Sequence, residues 1–422
     1  MNLNNIIELI NSSKGKYNLE FYLIGGAVRD LLTGNEPTDL DFNFIGQKRY
    51  VEKFIKEIFA PKEIQTSQFH TYKFKYNSFD IDFAMCRKEK YSNPAALPEI
   101  SEGNLLEDQQ RRDFSINSIA INTDDFTTLG ESQHIQKFID PFNGILDIKA
   151  KQIKNIHSNS FSDDPTRIFR AIRYSKRLNF EIHSSTLNEI QIFKDNITNL
   201  SGIRIRNEIF KILEENQPID TLLECEKFKL FKHLNIDFIF PPYLPSWEKR
   251  RPLGHLVVTR IHDRNSIFTQ NESLKDKMLL FLSTFLCYSS DETINAISKD
   301  FGLEKSIANN WKNIVKMKYE LDRFNFREKN SKLHSILNKS TKSICLGLTQ
   351  WYDNSKSKRI VNYWNKIRLI KPKLNTDDLF SIGISEGPKL GKIKKELEIF
   401  AIDYPYSSEQ EQREFVTNLL NS

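Results

Sequence analysis

The sequence predicts an α+β fold, in which a small N-terminal mixed β-sheet domain with flanking helices precedes an all-helical neck, body and tail. Strand patterns, in which apolar and polar residues alternate, are confined to about the first 150 of the 422 residues. Later segments repeat apolar residues at helical spacing, as between Ile205 and Leu213. The proline-rich segment 241–245 is the best candidate for a linker. We therefore expect a head at 1–150, a neck at 151–240, and a body and tail at 241–422.

Composition bounds the class of protein. A chain of 422 residues that is 39% hydrophobic can bury several cores in series. Its four cysteines have no metal-ligand spacing, which suits core thiols in a reducing compartment and suggests no structural zinc. The first apolar stretch, Ile6 to Ile10, is too short to span a membrane, so we expect a cytoplasmic protein. The net charge of +6 is compatible with a polyanionic partner but is also common in proteins without one.

The first predicted strand ends at a pair of glycines. Residues 19–24 alternate as a strand does, Gly25 and Gly26 follow, and a short helix is predicted from Ala27 to about Leu32. Because glycine lets the backbone approach a ligand closely, such a turn can present N–H groups to a triphosphate. Taken alone, a Gly-Gly pair more commonly marks only a turn.

Two further predicted strands carry carboxylates on one face. Period-2 alternation in segment 39–44 places Asp39 and Asp41 on the face opposite the apolar residues. Segment 79–83 repeats the pattern with Asp80 and Asp82. Magnesium prefers oxygen ligands and leaves positions for water and phosphate, so this arrangement is typical of two-metal phosphoryl transfer. The plainer alternative for such a pattern is a solvated strand face.

Four segments, in this order, resemble the signatures of one known family. Residues 23–32, LIGGAVRDLL, are followed by PTDLD at 37–41. RRDFSINSIA follows at 111–120, DPFNGILD at 140–147 and DDPTRIFRAIR at 163–173. Together they resemble class II tRNA nucleotidyltransferases and bacterial poly(A) polymerases. The first segment matches the family's catalytic signature, so the resemblance implies a nucleotidyltransferase head.

The resemblance implies that Asp39 and Asp41 bind two catalytic Mg²⁺ ions together with a third carboxylate. Asp80 and Asp82 share one strand face, so alternation alone leaves the choice between them open. The family places the third carboxylate five residues before an arginine, which favours Asp82 because Arg87 stands at that distance. The residues that the resemblance places around the triphosphate are Gly25, Gly26 and Arg29.

The segment that begins at Arg111 has two interpretations. Two arginines and an aspartate in a row could form no more than a surface ion pair, which contributes little stability. The resemblance instead gives Arg112, Asp113 and Asn117 roles around the nucleotide phosphates and ribose.

Base recognition is the role that the resemblance gives to Asp164 and Arg167. Asp164 before Pro165 is also an ordinary helix start. In the family pattern, Asp164 and Arg167 lie on one helix face with Arg170 on the same side. Both C and A present an amino donor beside a ring-nitrogen acceptor, so a carboxylate and a guanidinium can pair with either base, whereas U and G reverse these groups. The pair thus predicts CTP and ATP as substrates.

The product remains open among several members of the class. Segment 87–99 resembles the family's flexible loop, which enzymes restricted to adding CC tend to lack. Segment 68–76 lacks the basic stretch typical of the poly(A) polymerases. The expected activity is addition of CCA to tRNA 3′ ends by two-metal nucleotidyl transfer. The alternatives are addition of A only, poly(A) synthesis, and a non-catalytic RNA-binding relative.

The C-terminal region carries a basic segment. Seven Lys or Arg residues and no acid lie between 354 and 375, so RNA phosphate contact competes with a plain solvated helix face. His262 has no second His-Asp pair and is predicted to be structural. The expected partners are a tRNA 3′ end, CTP and ATP, and nothing implies an obligate protein partner. The residues proposed for RNA contact are Lys358, Arg359, Lys366 and Arg368.

Overall fold

The computed structural model describes residues 2–67, 70–126, 137–231, 239 and 273–421. These residues divide between two compact units, one formed by 1–208 and 220–234 and the other by 209–219 and 235–422. The predicted linker at 241–245 and His262 lie outside the described residues. The predicted division into head, neck and body remains a prediction. Among the described residues, no helix is both long and apolar enough to cross a membrane.

A six-stranded mixed sheet forms the centre of the first unit. Its strand order is β3-β4-β5-β2-β1-β8; β2 and β5 run parallel, and the other neighbours are antiparallel. Short pairs β6-β7 and β9-β10 lie outside this sheet. The strands are β1 (Glu20–Ile24), β2 (Asp39–Ile45), β3 (Gln65–Thr66), β4 (Thr71–Tyr76), β5 (Phe79–Met85), β6 (Arg87–Lys90), β7 (Glu99–Glu102), β8 (Ala120–Asn122), β9 (Gln152–Ile153) and β10 (Glu181–Ile182).

Apolar and polar side chains alternate along β2, so that the apolar side chains face the core and the carboxylates face the candidate site. Leu40, Phe42 and Phe44 are almost fully buried, whereas Asp39 at the start of the strand is exposed. The Phe42 ring stacks on Phe83 of β5 with centroids 5.2 Å apart. Burial of such aromatic side chains contributes a few kcal/mol each and fixes the strand register. The strands predicted at 19–24, 39–44 and 79–83 are therefore confirmed within two residues.

Helices cover the sheet and extend the first unit beyond it. The predicted helix from Ala27 to Leu32 is confirmed, with one further residue at its start. The helices up to residue 227 are α1 (Leu3–Lys14), α2 (Gly26–Leu32), α3 (Lys48–Ile58), α4 (Leu105–Gln110), α5 (Gly144–Lys149), α6 (Ser160–Asp163), α7 (Thr166–Leu178), α8 (Ser184–Phe193), α9 (Gly202–Leu213) and α10 (Pro218–Lys227).

The described part of the second unit beyond residue 273 is helical, as predicted. Trp311 is completely buried and donates its indole N–H to the Leu286 carbonyl at 2.9 Å. The helices are α11 (Leu274–Phe285), α12 (Asp291–Asp300), α13 (Lys305–Arg323), α14 (Asn330–Leu337), α15 (Lys342–Thr349), α16 (Asn354–Asn365), α17 (Thr376–Ser381), α18 (Pro388–Asp403) and α19 (Glu409–Asn421).

Candidate active site

The predicted metal carboxylates lie together on β2 and β5. The parallel register places Asp39 opposite Asp80 and Asp41 opposite Asp82. All four residues line one open cleft of about 990 Å³, whose other wall includes β4. Parallel pairing thus brings together two carboxylate pairs that are about 40 residues apart in the sequence.

Burial and neighbouring charges act together on the carboxylate cluster. Burial raises the pKa of Asp41 above its ordinary value, Arg112 opposes that rise, and the neighbouring charges of Asp82 and Asp39 add to it. Lys73 of β4 forms an ion pair with Asp82, and Lys75 lies 3.4 Å from Asp80.

The donor set fits divalent cations. It offers several carboxylate oxygens, which are the ligands that Mg²⁺ prefers, and its repelling charges would be relieved by a cation. Among the described residues, no group of three or more acidic, His or Cys side chains lies close enough together to hold a metal ion. Because Lys73 forms an ion pair with Asp82, a cation bound by Asp82 would compete with that ammonium.

Gly25 brings the backbone against two predicted site residues. Its φ is +76°, a conformation that side-chain-bearing residues rarely adopt. A Cβ atom there would lie 2.9 Å from Nη1 of Arg112 and 3.6 Å from Oδ2 of Asp41. The turn is anchored by the Gly25 N–H, which donates to the Ile119 carbonyl at 3.3 Å. The next residue, Gly26, begins α2.

Four predicted site residues form one hydrogen-bonded chain. Arg29 donates to Oδ1 of Asn117 at 2.7 Å, and the Asn117 amide donates to Asp113 at 3.1 Å. Nε of Arg170 donates to the other Asp113 oxygen at 2.7 Å. Tyr174 lies beside this chain, with its ring centre 5.4 Å from each of the Arg29 and Arg170 guanidinium carbons. Tyr174 was not predicted as a site residue.

Asp113 is held as a buried carboxylate. Burial alone would raise its pKa, but Arg170, Asn117 and Arg167 outweigh burial and lower the pKa to about 2. The same contact with Asp113 holds the pKa of Arg170 above its usual range, although burial opposes this. The Asp113–Arg170 pair is ionised at neutral pH. Asp113 also accepts the hydrogen bond that the Asn117 amide donates.

The alternative of a surface ion pair at Arg111 is wrong for this segment. Arg111 and Arg112 both donate to the carboxylate of Asp108, which has no exposed surface, at 2.7 and 3.1 Å. Burial would raise the Asp108 pKa, but the two arginines outweigh it and lower the pKa. The amide of Asn43 also donates to Asp108.

Asp108, the buried carboxylate that holds Arg111 and Arg112, was not predicted from the sequence. It lies in α4, whose capping box at Asn104 and Glu107 marks a helix but not a buried acceptor. The signal in the sequence was its position three and four residues before two arginines, which is the spacing of helical ion pairs.

The predicted pair Asp164 and Arg167 does not lie on one helix. Asp164 has an extended backbone and precedes α7, where it accepts the Thr166 backbone N–H at 3.0 Å. This is the cap that the ordinary helix start predicted. Arg167 is buried and donates to Ser160 Oγ at 2.8 Å and to the Arg111 carbonyl at 2.6 Å. The side chains do not hydrogen-bond to each other in the described structure, and Arg170 turns instead to Asp113.

The four predicted RNA-contact residues lie on α16 and the turn that follows it. Lys358 and Lys366 are exposed. Arg359 is committed to the Glu328 carbonyl, and Arg368 stacks on Trp364 with 3.8 Å between its guanidinium carbon and the ring centre. Three of the four, Lys358, Lys366 and Arg368, are thus exposed to solvent, and Arg359 is partly buried. RNA contact at these positions remains a prediction.

Two family models match the chain. Residues 21–154 match the poly A polymerase head domain, and residues 179–239 match the "Probable RNA and SrmB- binding site of polymerase A". The head-domain match spans the strands that carry the carboxylates and the glycine turn. The chain is similar to tRNA nucleotidyltransferases and bacterial poly(A) polymerases, and its residues 21–154 match the head domain of that family. The sequence-based resemblance to that family is therefore confirmed.

Curated members of this family are similar over different lengths. An A-adding tRNA nucleotidyltransferase of Aquifex aeolicus is 28% identical over 90% of this chain and 44% of its own length. One of Geobacter sulfurreducens is 33% identical over 53% of this chain and 25% of its own length. A CCA-adding enzyme of Lactobacillus delbrueckii is 32% identical over 46% of each chain. The chain thus spans about half or less of the length of these relatives.

Solved structures share the family fold. A CCA-adding enzyme in an apo form superposes with a TM-score of 0.77 at 24% identity, over 99% of this chain and 95% of that chain. A Thermotoga maritima CCA-adding enzyme complexed with tRNA superposes with a TM-score of 0.74 at 23% identity, over the same shares of the two chains. These similarities confirm the predicted α+β architecture.

Proposed function

We propose that this protein adds nucleotides from CTP and ATP to the 3′ end of tRNA, with CCA as the product. The observation that carries the proposal is the convergence of Asp39, Asp41 and Asp82 on one cleft, with the Gly25 turn and Arg112 directly beside Asp41. Phosphoryl transfer requires anionic oxygen ligands for metal ions next to groups that hold phosphates. Both sets of groups are present here.

The reaction is attack of an RNA 3′-hydroxyl on the α-phosphate of the nucleotide, with release of pyrophosphate. Asp39, Asp41 and Asp82 would hold two Mg²⁺ ions, which supply activation of the hydroxyl and neutralise the leaving group. Arg112, held by Asp108 and adjacent to Gly25, faces the turn where the triphosphate would lie. Arg29 lies on the helix that follows the same turn, and its guanidinium donates to Asn117.

Base choice is assigned to Asp164 and Arg167. A carboxylate acceptor and a guanidinium donor match the amino group and ring nitrogen shared by C and A. An unmatched base would leave buried polar groups unpaired, which can reduce incorporation by ~10⁴-fold. Arg167 uses one N–H of each terminal nitrogen for Ser160 and a backbone carbonyl, so one of its other N–H groups would meet the ring nitrogen of the base.

Addition of A alone is the second candidate. Three curated relatives, from Geobacter sulfurreducens, Aquifex aeolicus and Halalkalibacterium halodurans, are named A-adding tRNA nucleotidyltransferases. Relatives named poly(A) polymerase I, such as that of Salmonella typhi, match with 26% identity over 52% of this chain. Recognition of ATP requires the same contacts whether the product is CCA, a single A or a poly(A) tail. The base-recognition residues therefore do not distinguish these products.

One experiment separates these products. The protein is incubated with tRNA that ends before CCA, tRNA that ends in CC, and an unstructured RNA, each with CTP, ATP or both. CCA addition predicts CMP incorporation on the first substrate and a single AMP on the second. Incorporation of AMP on the second substrate alone would establish A-only addition, and long A tails on the third would establish poly(A) synthesis. An absence of incorporation on all three would overturn the proposal.

A further inference from the structure

The carboxylate of Asp164 is held through one of its two oxygens. Oδ1 accepts the Thr166 N–H at 3.0 Å, the Thr166 hydroxyl at 2.5 Å and Nη2 of Arg204 at 2.7 Å. In the part of the chain that the structure describes, no hydrogen bond reaches Oδ2. Three donors on one oxygen fix the rotation of the carboxylate and leave the other oxygen for a ligand.

Arg204 holds a second segment at the same time. Its Nη1 donates to the Ala95 carbonyl at 2.8 Å, and the Ala95 N–H donates to the Ser162 carbonyl at 3.1 Å. Ala95 lies in the segment 91–98 between β6 and β7, has a φ of +63° and is buried. The Arg204 guanidinium on α9 therefore connects segment 91–98 to the carboxylate of Asp164.

The geometry requires the shape of arginine as well as its charge. Two nitrogens of one planar group reach two acceptors that belong to different segments. A lysine ammonium is a single point with a different reach and cannot occupy both positions. Arg167, the other guanidinium near Asp164, is already committed to Ser160 and Arg111.

We propose that Arg204 is a positioning residue for nucleotide selection, which presents the free oxygen of Asp164 to the base and couples segment 91–98 to that carboxylate. The inference rests on the proposed function, because it assumes that Asp164 recognises the base. Arg204 itself need not touch the nucleotide. Its loss lets the carboxylate rotate, so that either oxygen, or neither, meets the amino group of the base.

The test compares ATP with GTP on a tRNA that ends in CC. kcat and KM are measured for the full-length wild type and for Arg204→Met, Arg204→Lys and Ala95→Pro. Proline is incompatible with the φ of Ala95 and removes its N–H, so this variant breaks the coupling without changing Arg204. The matched control is Arg206→Met, which removes the same charge two residues further along α9.

We expect Arg204→Met to lower the ratio of kcat/KM for ATP to that for GTP by at least about tenfold, mainly through a raised KM for ATP. Arg204→Lys should restore part of the ratio, and Ala95→Pro should lower it in the same direction. Arg206→Met should leave the ratio within about twofold of the wild type. Equilibrium dialysis with ATP and with GTP provides the same comparison without turnover.

An equal loss of ATP and GTP incorporation, with the ratio unchanged, would overturn the inference and make Arg204 merely structural. Thermal unfolding identifies a variant that does not fold, in which case the ratios for Arg204→Lys and Ala95→Pro decide. If the wild type incorporates no nucleotide, the proposed function fails. Dialysis then still reports whether Arg204 controls selective binding.

Discussion

At the scale of single residues, the site is a balance of charges around Asp41. Burial and the neighbouring carboxylates Asp82 and Asp39 raise the Asp41 pKa, while Arg112 and Lys73 oppose that rise. Lys73 adds positive charge beside these carboxylates, because its ammonium forms an ion pair with Asp82. A divalent cation would compete with that ammonium for the same oxygens. The preference of the family pattern for Asp82 over Asp80 has a counterpart here, since Asp82 adds to the field at Asp41.

The choice of third carboxylate can be tested with two matched variants. We expect Asp82→Asn to lower the kcat of nucleotide incorporation by more than about 100-fold, because even residues that only orient metal ligands contribute 10–100-fold. Asp80 lies two residues before Asp82 on the same strand face, and Asp80→Asn should keep kcat within about threefold of the wild type. Steady-state incorporation at saturating Mg²⁺ measures both. The reverse order of effects would assign the role to Asp80.

The Asp113 carboxylate predicts a pH dependence of stability. Its folded pKa of about 2 is below the unfolded value of about 3.9, so its contribution is present above pH 4 and is lost as the pH falls towards 2. The contribution is on the order of 2 kcal/mol. We expect Asp113→Asn to be less stable than the wild type at pH 7 and the difference to shrink below pH 4. Urea unfolding across pH 2 to 7 measures this, and a constant difference would contradict it.

At the scale of elements, close backbone packing decides where glycine is required. Gly144 begins α5, and a Cβ atom there would lie 2.3 Å from the Ser115 carbonyl oxygen. Asp140 accepts the backbone N–H groups of Gly144 and Ile145 at 2.7 and 2.9 Å, so the DPFNGILD motif fixes this helix start against the segment that carries Asn117. The motif is visible in the sequence, but its packing against the segment that carries Asn117 is visible only in the structure.

A pair of glycine variants tests that reasoning. Gly144→Ala should lower the stability of the first unit by ~1–3 kcal/mol, because a backbone oxygen must move to admit the methyl group. Gly391→Ala should stabilise the second unit by up to ~1 kcal/mol, since Gly391 lies inside α18 with open space around it. Thermal unfolding midpoints of the two variants should therefore shift in opposite directions. If Gly144→Ala stabilised the protein instead, the Ser115 carbonyl would have moved away from α5 at little cost, which would contradict this reasoning.

At the scale of the whole molecule, the chain separates nucleotide chemistry from the predicted RNA contacts. The carboxylates, the glycine turn and the residues proposed for base recognition belong to the first compact unit, whereas Lys358 and Lys366 belong to the second. Phosphate contacts by exposed lysines release counterions and so depend on salt.

Substitution of the two exposed lysines tests the RNA prediction. The double variant Lys358→Gln, Lys366→Gln should raise the KM for tRNA several-fold with little change in kcat, and should lower the slope of log affinity against log salt by ~1 to 2. The matched control is Lys53→Gln, Lys56→Gln on α3, where the two lysines pair with helix neighbours. Filter binding at several salt concentrations measures the slope. Equal slopes for the three proteins would indicate a solvated helix face.

The sequence by itself determined the parts that depend on local periodicity and order. Alternation along β2 fixed which side chains face the core, and the spacing of the glycines and acids indicated nucleotidyl transfer. The inference about strand faces succeeds because burial acts on each strand residue in turn, whatever the rest of the chain does. Nucleotidyl transfer stays a prediction. The same order predicted Asp39 and Asp41 as metal ligands, and the family resemblance favoured Asp82 over Asp80.

Only the tertiary structure decided which charges meet. Parallel pairing of β2 with β5 aligned Asp41 with Asp82, and β4 brought Lys73 against them, a strand that the sequence analysis did not predict. Arg204 reaches Asp164 from 40 residues away, beyond any local pattern. Ion pairing and hydrogen bonding between distant segments depend on distances of about 3 Å, and only the packed chain sets those distances.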